Sequence, residues 1–339
     1  MKNVVFNDTG REVEFKPDLV FEEYLKLNKK DLERRFKNEK DLVLNSCPAC
    51  LSDKKQNVFK KSGFQYVECR NCRTVYMSPG PKDVDIKRHY LTSNSARFWR
   101  DTLSKRTEGK RKEKIYAPRL QWIVDMAGEY LPAAKTIADL CDKNKDYVQA
   151  FLDLQDFENK IVINPYFDVE DIRADCGGLQ VIDDLAEAKK KKGLADIISA
   201  FEVIDCISDV NGLMSGIKDL LVPGGLCFMT TISISGFDLQ VLWNSSKTIF
   251  PLDRISVFSS EGLRLLFKRH DFEMLEYSTP GLLDLDIVRN AIERDKKLDV
   301  PRFIKTLLEK GDDKLYRDFQ EFLQTNRLSS FVRVLLRKK

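Results

Sequence analysis

The second part of the chain alternates between short apolar runs and amphipathic segments. Short apolar runs bounded by polar residues predict buried strands, whereas apolar residues at helical spacing predict helices that cover a core. From Arg119 onward the two patterns follow one another. This alternation predicts an α/β fold, a Rossmann-like sheet with helices on both faces.

The apolar runs predict a sheet of seven strands, at 136–140, 160–164, 179–184, 196–201, 226–229, 272–277 and 329–336. Helices are predicted at 120–131, 146–152 and 212–221, with Pro132 ending the first of them. The turn before the fifth strand is assigned to Pro223-Gly224-Gly225. The segment 284–325 is mostly helical in pattern, which predicts a helical insertion before the last strand.

The opening strand, turn and helix of this sheet, residues 136–152, mark the candidate ligand site. In open α/β sheets, nucleotide-like ligands lie beyond the carboxyl ends of the strands, often against a helix N-terminus. The turn in this chain carries no glycine, although such turns usually need glycine so that the backbone can approach the ligand.

The segment that precedes the sheet divides into three further parts. Residues 1–45 are charge-rich and contain an amphipathic helix with Phe21, Tyr24, Leu25 and Leu32 on one face. We expect this helix to dock on a neighbouring part of the chain, in preference to a separate partner. A ribbon at 46–80, linker helices at 81–118 and the sheet domain at 119–339 complete the predicted domains.

Two C-x-x-C pairs lie in the ribbon segment, Cys47 with Cys50 and Cys69 with Cys72, and eighteen residues separate them. Four thiolates can close a tetrahedral zinc shell and leave no open position for catalysis. A block this short has too small a core to fold unaided, so metal would supply stability. The pattern therefore predicts structural zinc; four free or redox thiols are the alternative.

Composition narrows the class of protein. The formal net charge is +4 for 339 residues, which gives no general signal for nucleic acid, and nucleic acid is not expected as a partner. The sequence has no apolar run long enough to predict a membrane span and no signal-peptide pattern, so we expect a cytoplasmic protein. The basic run 105–114 favours a solvated helix face, with an anion-binding edge as the alternative.

Several motifs, in their order along the chain, together resemble one family. They are the C-x-x-C pair followed by Tyr76 and Pro79, and the segments 201–204, 220–225, 258–259, 279–284 and 326–330. In this respect the chain from Cys47 to its end resembles class I S-adenosylmethionine-dependent methyltransferases that carry an N-terminal four-cysteine zinc domain. Many members act in deoxysugar or surface-polysaccharide biosynthesis, and some are sugar C-methyltransferases.

The resemblance implies where S-adenosylmethionine would bind. Asp139 occupies the acidic position before the cofactor loop. The three glycine positions of that loop fall on Cys141, Lys143 and Lys145, the ribose-binding acidic position falls on Asn164, and Asp183 or Asp184 lies at the adenine edge. Lost glycines and a lost carboxylate weaken such a site, while the lysines could meet an anion.

The candidate catalytic groups are few because the chain has only two histidines, His89 and His270. His89 with Tyr90 could face the cleft and serve as a base, whereas His270 is expected at a surface turn. Glu202, with Asp205 behind it, ends the fourth strand where the site should be, and capping the next helix is the alternative role.

Three functions remain open from the sequence. The first is methyl transfer to a small-molecule acceptor such as a nucleotide sugar, with positioning as the main source of catalysis. The second is an inactive methyltransferase fold that has lost the cofactor and works as a binding or assembly subunit with a protein partner. The third is nucleic-acid binding through the ribbon and the basic run, which the near-neutral charge disfavours.

Overall fold

The computed structural model describes residues 2–6, 11–36, 42–140, 145–163, 180–182, 185–188 and 190–339. Within these residues the chain forms a large sheet covered by helices, and a small ribbon sheet packed against it. The predicted α/β class is therefore confirmed.

Eleven strands are described, and we number them in chain order. They are β1 (Lys55–Lys61), β2 (Phe64–Cys69), β3 (Val75–Met77), β4 (Thr136–Leu140), β5 (Asn159–Ile163), β6 (Gln180–Ile182), β7 (Ala195–Phe201), β8 (Leu221–Ile232), β9 (Ser256–Val257), β10 (Phe272–Ser278) and β11 (Phe331–Lys338).

The large sheet has seven strands in the order β10-β11-β8-β7-β4-β5-β6. The pairs β4–β5, β5–β6, β4–β7 and β7–β8 are parallel, whereas β11 is antiparallel to both of its neighbours. The chain leaves β4 to one side for β5 and β6, and then crosses to the other side for β7 and β8. The carboxyl ends of β4 and β7 therefore form the switch point of the sheet, where ligands bind in such folds.

Helices cover both faces of this sheet and build the segments that precede and interrupt it. The α-helices are Glu12–Phe15, Asp18–Arg35, Asp83–Thr92, Asn94–Phe98, Lys105–Arg111, Ala117–Tyr130, Lys145–Leu152, Leu185–Ala188, Val210–Leu220, Phe237–Leu242, Ser260–Arg269, Asp284–Arg294, Arg302–Lys310 and Asp313–Thr325. Two π-helical stretches, Trp99–Ser104 and Lys112–Tyr116, join three of them into one long helical rod.

One predicted turn is wrong. Pro223-Gly224-Gly225 lies inside β8, and does not precede it. Gly224 has φ of +76°, and the pairing with β7 shifts register between Ala195 and Ile197. The glycine supplies a left-handed backbone that lets the strand bulge and continue.

The ribbon sheet has the order β1-β2-β3-β9, and all of its pairs are antiparallel. Its fourth strand, β9, comes from the second half of the chain. The helix Ser260–Arg269 that follows β9 also touches the ribbon, because a Cβ built on Gly262 would lie 2.1 Å from Thr74 Oγ1. The ribbon is thus joined to the second half of the chain by the strand β9 and by this close contact.

The N-terminal helix Asp18–Arg35 packs against the rest of the chain, as its amphipathic pattern predicts. Phe21 and Tyr24 contact Phe250, and Tyr24 also contacts Trp99. Glu12, just before this helix, accepts hydrogen bonds from the insertion helix Asp284–Arg294. The N-terminal segment therefore forms a wall between the linker helices and the insertion.

The segment predicted as a helical insertion consists of three helices, Asp284–Arg294, Arg302–Lys310 and Asp313–Thr325, which confirms the pattern. Among the described residues, we find no helix with the length and apolar character that crossing a bilayer requires.

Candidate functional site

A cavity of about 670 Å³ lies at the carboxyl edge of the large sheet. The ends of β7 and β8 contribute Glu202, Thr230 and Ile232 to its floor, and Phe331 at the start of β11 continues it. The N-terminal helices and the insertion form its sides. Its volume is in the range of pockets that take small organic ligands.

The lining combines aromatic rings with many charged groups. The aromatic residues are Phe6, Phe15, Phe21, Tyr24, Tyr90, Trp99, Tyr116, Trp122, Phe250 and Phe331. The charged residues are Lys16, Arg100, Arg111, Lys114, Arg119, Arg254 and Arg333 against Glu113, Glu202, Asp253 and Asp284. Cations outnumber carboxylates, so the cavity favours a ligand that is planar or apolar in one part and anionic in another.

Glu202 is placed by a strained backbone at the end of β7. Its φ is +56°, in the left-handed region that side chains other than glycine rarely adopt. Its N–H still donates to Thr230 O at 2.9 Å. Such strain persists where the surroundings hold it, and here it turns the side chain off the strand and into the cavity.

Two guanidinium groups bind the Glu202 carboxylate. Arg254 Nη2 lies 3.1 Å from Glu202 Oε2, and Arg119 Nη2 donates to Oε1. Burial by itself would raise the pKa of Glu202, but the two cations outweigh it and hold that pKa well below its ordinary value. Glu202 is therefore ionised, and a carboxylate with so low a pKa is a poor general base.

Asp205 lies behind this group and is fully buried. Arg254 Nη1 lies 3.4 Å from its Oδ2, and Thr231 Oγ1 donates to its Oδ1. Burial raises the pKa of Asp205 to about 6, against the opposing effect of Arg254. Neither Glu202 nor Asp205 caps the following helix, because Asp209 does so by accepting from Gly212 N.

His89 and Tyr90 both line the cavity, on the helix Asp83–Thr92. Their rings meet edge to face at 5.7 Å, and His89 is 2% exposed. Tyr90 donates its hydroxyl hydrogen to Leu252 O at 3.0 Å or to Asp253 Oδ1 at 2.5 Å, and burial raises its pKa well above the ordinary value. Tyr90 is thus held as a hydrogen-bond donor, and the role of His89 as a base stays a prediction.

A second group of carboxylates borders the cavity on the insertion side. Asp284 accepts from Ser330 N at 2.7 Å and from Gln320 Nε2 at 2.8 Å. Asp238 is buried beside it, and burial together with the charge of Asp284 raises the pKa of Asp238 to about 8. At neutral pH Asp238 is therefore mostly protonated.

Asp139 is the one predicted cofactor residue whose side chain is described. The Asp139 side chain is buried, 1% exposed, on the face of β4 that packs against aromatic residues. Its Oδ1 accepts hydrogen bonds from Tyr147, at 3.3 Å, and from Ser199. Asp139 thus supports the start of the helix Lys145–Leu152, and it does not line the cavity.

The other predicted cofactor residues lie outside the described part of the chain. Cys141, Lys143, Asn164 and Asp183 fall in stretches that the structure does not describe, and of Lys145 only the backbone, at the start of a helix, is described. Their assignment stays a prediction.

The four ribbon cysteines come together, as their spacing predicts. Their sulfur atoms all lie within 4.8 Å of one another, and the pairs Cys47–Cys72 and Cys50–Cys69 are 3.5 Å apart. Zinc–sulfur bonds of about 2.3 Å in a tetrahedron place sulfurs about 3.8 Å apart, so the cluster fits zinc. Both knuckles close alike, with a left-handed residue, Leu51 or Arg73, after the second cysteine.

The basic run 105–114 is mostly a solvated helix face, as predicted, but it has two exceptions. Arg111 and Lys114 turn towards the cavity and line it. Lys114 Nζ lies 3.1 Å from Glu14 Oε2, whereas Arg111 binds a backbone carbonyl and lies over the Trp99 ring. The alternative of an anion-binding edge is thus supported by position for part of the run.

Sequence reasoning missed Arg119, Arg254 and Lys16. Arg119 was assigned only as the start of the sheet domain, and Arg254 and Lys16 lie in no recognised motif. The partners of Arg119 and Arg254 are 83 and 52 residues away along the chain, so no local pattern marks them. The local sign of burial is that each of these three basic residues stands next to an apolar residue in the sequence.

Comparison with known proteins finds a family match over part of the chain. Residues 137–277 match the family model of a methyltransferase domain. Apart from the first residue of β4 and the last of β10, the matched segment contains every described strand of the large sheet except β11, together with Glu202 and Arg254. It does not contain the four-cysteine cluster or the N-terminal wall. Residues 137–277 are therefore methyltransferase-like in sequence.

Solved structures that are similar to this chain share little sequence with it. The chain is similar to the 1,6-didemethyltoxoflavin-N1-methyltransferase of Burkholderia thailandensis, solved with 1,6-didemethyltoxoflavin and S-adenosylhomocysteine, at 10% identity and a TM-score of 0.42, covering 84% of this chain and 99% of the other. It is also similar to a SAM-dependent methyltransferase of Thermotoga maritima, at 15% identity and a TM-score of 0.40, covering 70% and 98%. No curated protein sequence matches the chain.

Proposed function

We propose that this protein is an S-adenosylmethionine-dependent methyltransferase that acts on a small molecule held in the cavity. The observation that carries the proposal is a large, partly aromatic cavity at the carboxyl ends of β7 and β8, beside the switch point of a sheet whose sequence matches methyltransferase domains. A nucleotide sugar or another intermediate of polysaccharide biosynthesis is the acceptor class that the family resemblance favours.

The charged groups at the edge of the sheet suit this cofactor. S-adenosylmethionine supplies an activated methyl group and carries both a sulfonium cation and a carboxylate. Glu202 offers a negative group, and Arg119 and Arg254 beside it offer positive ones. Complementary charges in a site partly shielded from water orient such a ligand. We assign Glu202 and Arg119 to positioning, and His89 to accepting a proton from the acceptor.

Calorimetric titration with S-adenosylmethionine and with S-adenosylhomocysteine tests the proposal. Saturable binding at micromolar concentration is expected. A triple variant, Cys141→Gly with Lys143→Gly and Lys145→Gly, should bind more tightly, because glycine removes side chains from positions where the family backbone approaches the cofactor. Lys105→Met, on the exposed helix face, is the control and should change nothing.

One observation favours a second function. Asp139, the described member of the predicted cofactor site, is buried and accepts its hydrogen bonds from Tyr147 and Ser199, inside the protein. With the glycine-free loop, this supports a methyltransferase fold that has lost its cofactor and serves as a binding or assembly subunit. No heat of binding at millimolar cofactor would support this function and refute the first.

We further propose that the four-cysteine cluster holds one structural zinc ion. Its sulfur geometry fits tetrahedral coordination, and three of its four cysteines are buried. Zinc would fix the ribbon against β9 and, through the ribbon, the segment Leu252–Ile255 that borders the cavity. Elemental analysis should find about one zinc per chain.

A further inference from the structure

The N-terminal wall of the cavity holds a lysine in an unusual position. Lys16 follows the short helix Glu12–Phe15 and lines the cavity. Its Nζ lies 5.1 Å from the centre of the Phe21 ring. This part of the chain precedes the methyltransferase-like segment 137–277, so neither the family match nor the ribbon accounts for Lys16.

Among the described residues the Lys16 amine forms no ion pair. Glu12 and Asp238 are the acidic groups whose charges favour its ammonium form. Glu12 Oε2 already accepts from Asn290 at 3.2 Å and from Arg294 at 3.3 Å. Burial and the charge of Asp284 raise the pKa of Asp238 to about 8, so Asp238 is mostly neutral at physiological pH. A buried ammonium group without a partner is costly, and burial accordingly lowers the pKa of Lys16.

Arg111 adds a second cation to the same end of the cavity. Its Nη2 donates to Phe15 O at 3.0 Å and its Nε to Thr107 Oγ1 at 2.8 Å, both of which are neutral acceptors. Its guanidinium lies 5.3 Å from the centre of the Trp99 ring. In the described part of the chain no carboxylate pairs with Arg111. Two cations thus border one space, and neither forms an ion pair among the described residues.

Aromatic rings border the same space. Tyr24 lies 5.0 Å from Trp99 and 5.9 Å from Phe21, measured between ring centroids. Flat, apolar walls of this kind hold planar or apolar molecules, and a few polar groups then fix the orientation. The arrangement suits a molecule with a planar body and one anionic group.

We propose that Lys16 and Arg111 form an anion-binding end of the cavity, which takes the carboxylate or phosphate group of a planar acceptor. The anion would supply the missing counter-charge through charge-assisted hydrogen bonds. That the ligand is a methyl acceptor rests on the proposed methyltransferase function, whereas the anion site itself does not. The acceptor's anionic group would then fix which atom reaches the edge of the sheet near Glu202.

Titration calorimetry of the full chain with phenyl phosphate, benzoate and benzyl alcohol tests the site. The first two carry a ring and an anionic group, and the third has the ring alone. We expect both anions to bind and the alcohol to bind much more weakly. Lys16→Met should weaken binding of the anions about tenfold or more, which corresponds to about 1.4 kcal/mol, and Lys16→Arg should restore part of it.

Lys105→Met is the matched control, because Lys105 is exposed on the same basic run as Arg111 and faces solvent. Its anion binding should equal that of the unmodified chain. Three results would each overturn the site. They are equal binding of phenyl phosphate and benzyl alcohol, unchanged anion binding by the Lys16→Met variant, and no anion binding at millimolar concentration. Phenyl phosphate and benzoate compared with each other decide which anionic group is preferred.

Lysine acylation read by mass spectrometry gives a test that needs no variant. Phenyl phosphate should protect Lys16 from acylation and leave Lys105 unprotected. Equal protection of both lysines, or of neither, would contradict the proposal. These measurements omit S-adenosylmethionine, so they are independent of the cofactor titration described above. If the anions bind and the cofactor does not, methyl transfer is refuted and the anion site stands. If the cofactor binds and the anions do not, the anion site alone is refuted.

Discussion

Replacing Arg254 by methionine should destabilise the protein in a way that depends on pH. The Arg254 side chain is 11% exposed and is shared by Glu202, at 3.1 Å, and Asp205, at 3.4 Å. Methionine keeps much of the length and apolar contact but removes the charge. Glu202 would keep Arg119, whereas Asp205 would keep only neutral hydrogen-bond partners such as Thr231.

The size of this destabilisation follows from the ionisation of Asp205 in the folded protein. Burial raises the pKa of Asp205 from 3.8 to about 6. At about 1.4 kcal/mol per unit, its ionisation already costs the folded state about 3 kcal/mol at pH 8. Because the folded pKa lies above the unfolded one, this contribution to stability is complete below pH 3.8 and is lost as pH rises through about 6. Without Arg254 the pKa of Asp205 rises further and the loss deepens.

We therefore expect Arg254→Met to lower the free energy of unfolding by about 3–5 kcal/mol at pH 8. The loss should be much smaller near pH 5, where Asp205 is protonated with or without Arg254. Urea denaturation followed by tryptophan fluorescence at both pH values measures this difference. The double variant Arg254→Met with Asp205→Asn should recover most of the stability at pH 8, because the buried charge is gone.

Arg264→Met is the control for loss of an ion pair. Arg264 Nη2 lies 2.6 Å from Glu261 Oε1, but both side chains are about half exposed, at 53% and 50%. Water screens such a pair, so the expected loss is below about 1 kcal/mol at either pH. If Arg254→Met lost equal stability at both pH values, or if Asp205→Asn recovered nothing, the argument from a buried carboxylate would be refuted.

Two further predictions concern the ribbon and the cavity floor. Cys69→Ser should abolish zinc binding and lower the thermal midpoint, since each ligand closes the tetrahedron; retained stoichiometric zinc in elemental analysis would count against the assignment. Gly236→Ala should cost about 1–3 kcal/mol in urea denaturation, because a Cβ there would lie 2.2 Å from Ser330 Cα, whereas Gly128→Ala, with no atom within 4 Å, should gain up to about 1 kcal/mol. Equal effects of the two alanine substitutions would show that the close approach of Gly236 to Ser330 is not rigid.

Strand assignments from sequence succeeded where the signal is local. The run 136–140 was predicted with the same bounds that β4 has, because five consecutive residues of a buried parallel strand carry their own signature. Pro223-Gly224-Gly225 was assigned to a turn, since a bulge inside a strand and a turn before it use the same residues. Short-range chemistry does not distinguish these two outcomes.

The two-strand core of the ribbon illustrates the same limit. The strands β1 and β2 lie in the segment 46–80, which the sequence predicts as a ribbon. Ser256–Val257 completes the ribbon as β9, but two residues far along the chain carry no periodic signal. The edge of a sheet accepts any extended segment that reaches it, and only the folded chain decides which one does.

The sequence by itself determined the α/β class, the order of strands and helices, and the four thiols that can share a metal ion. These features follow from periodicity and spacing within short stretches of chain. Only the tertiary structure decided that Arg119 and Arg254 bind Glu202 and that His89 and Lys16 border the same cavity. The energy of a charge pair depends on the distance between the two charges in space. The residues that pair here are far apart in the sequence, and no local sequence pattern predicts that they meet.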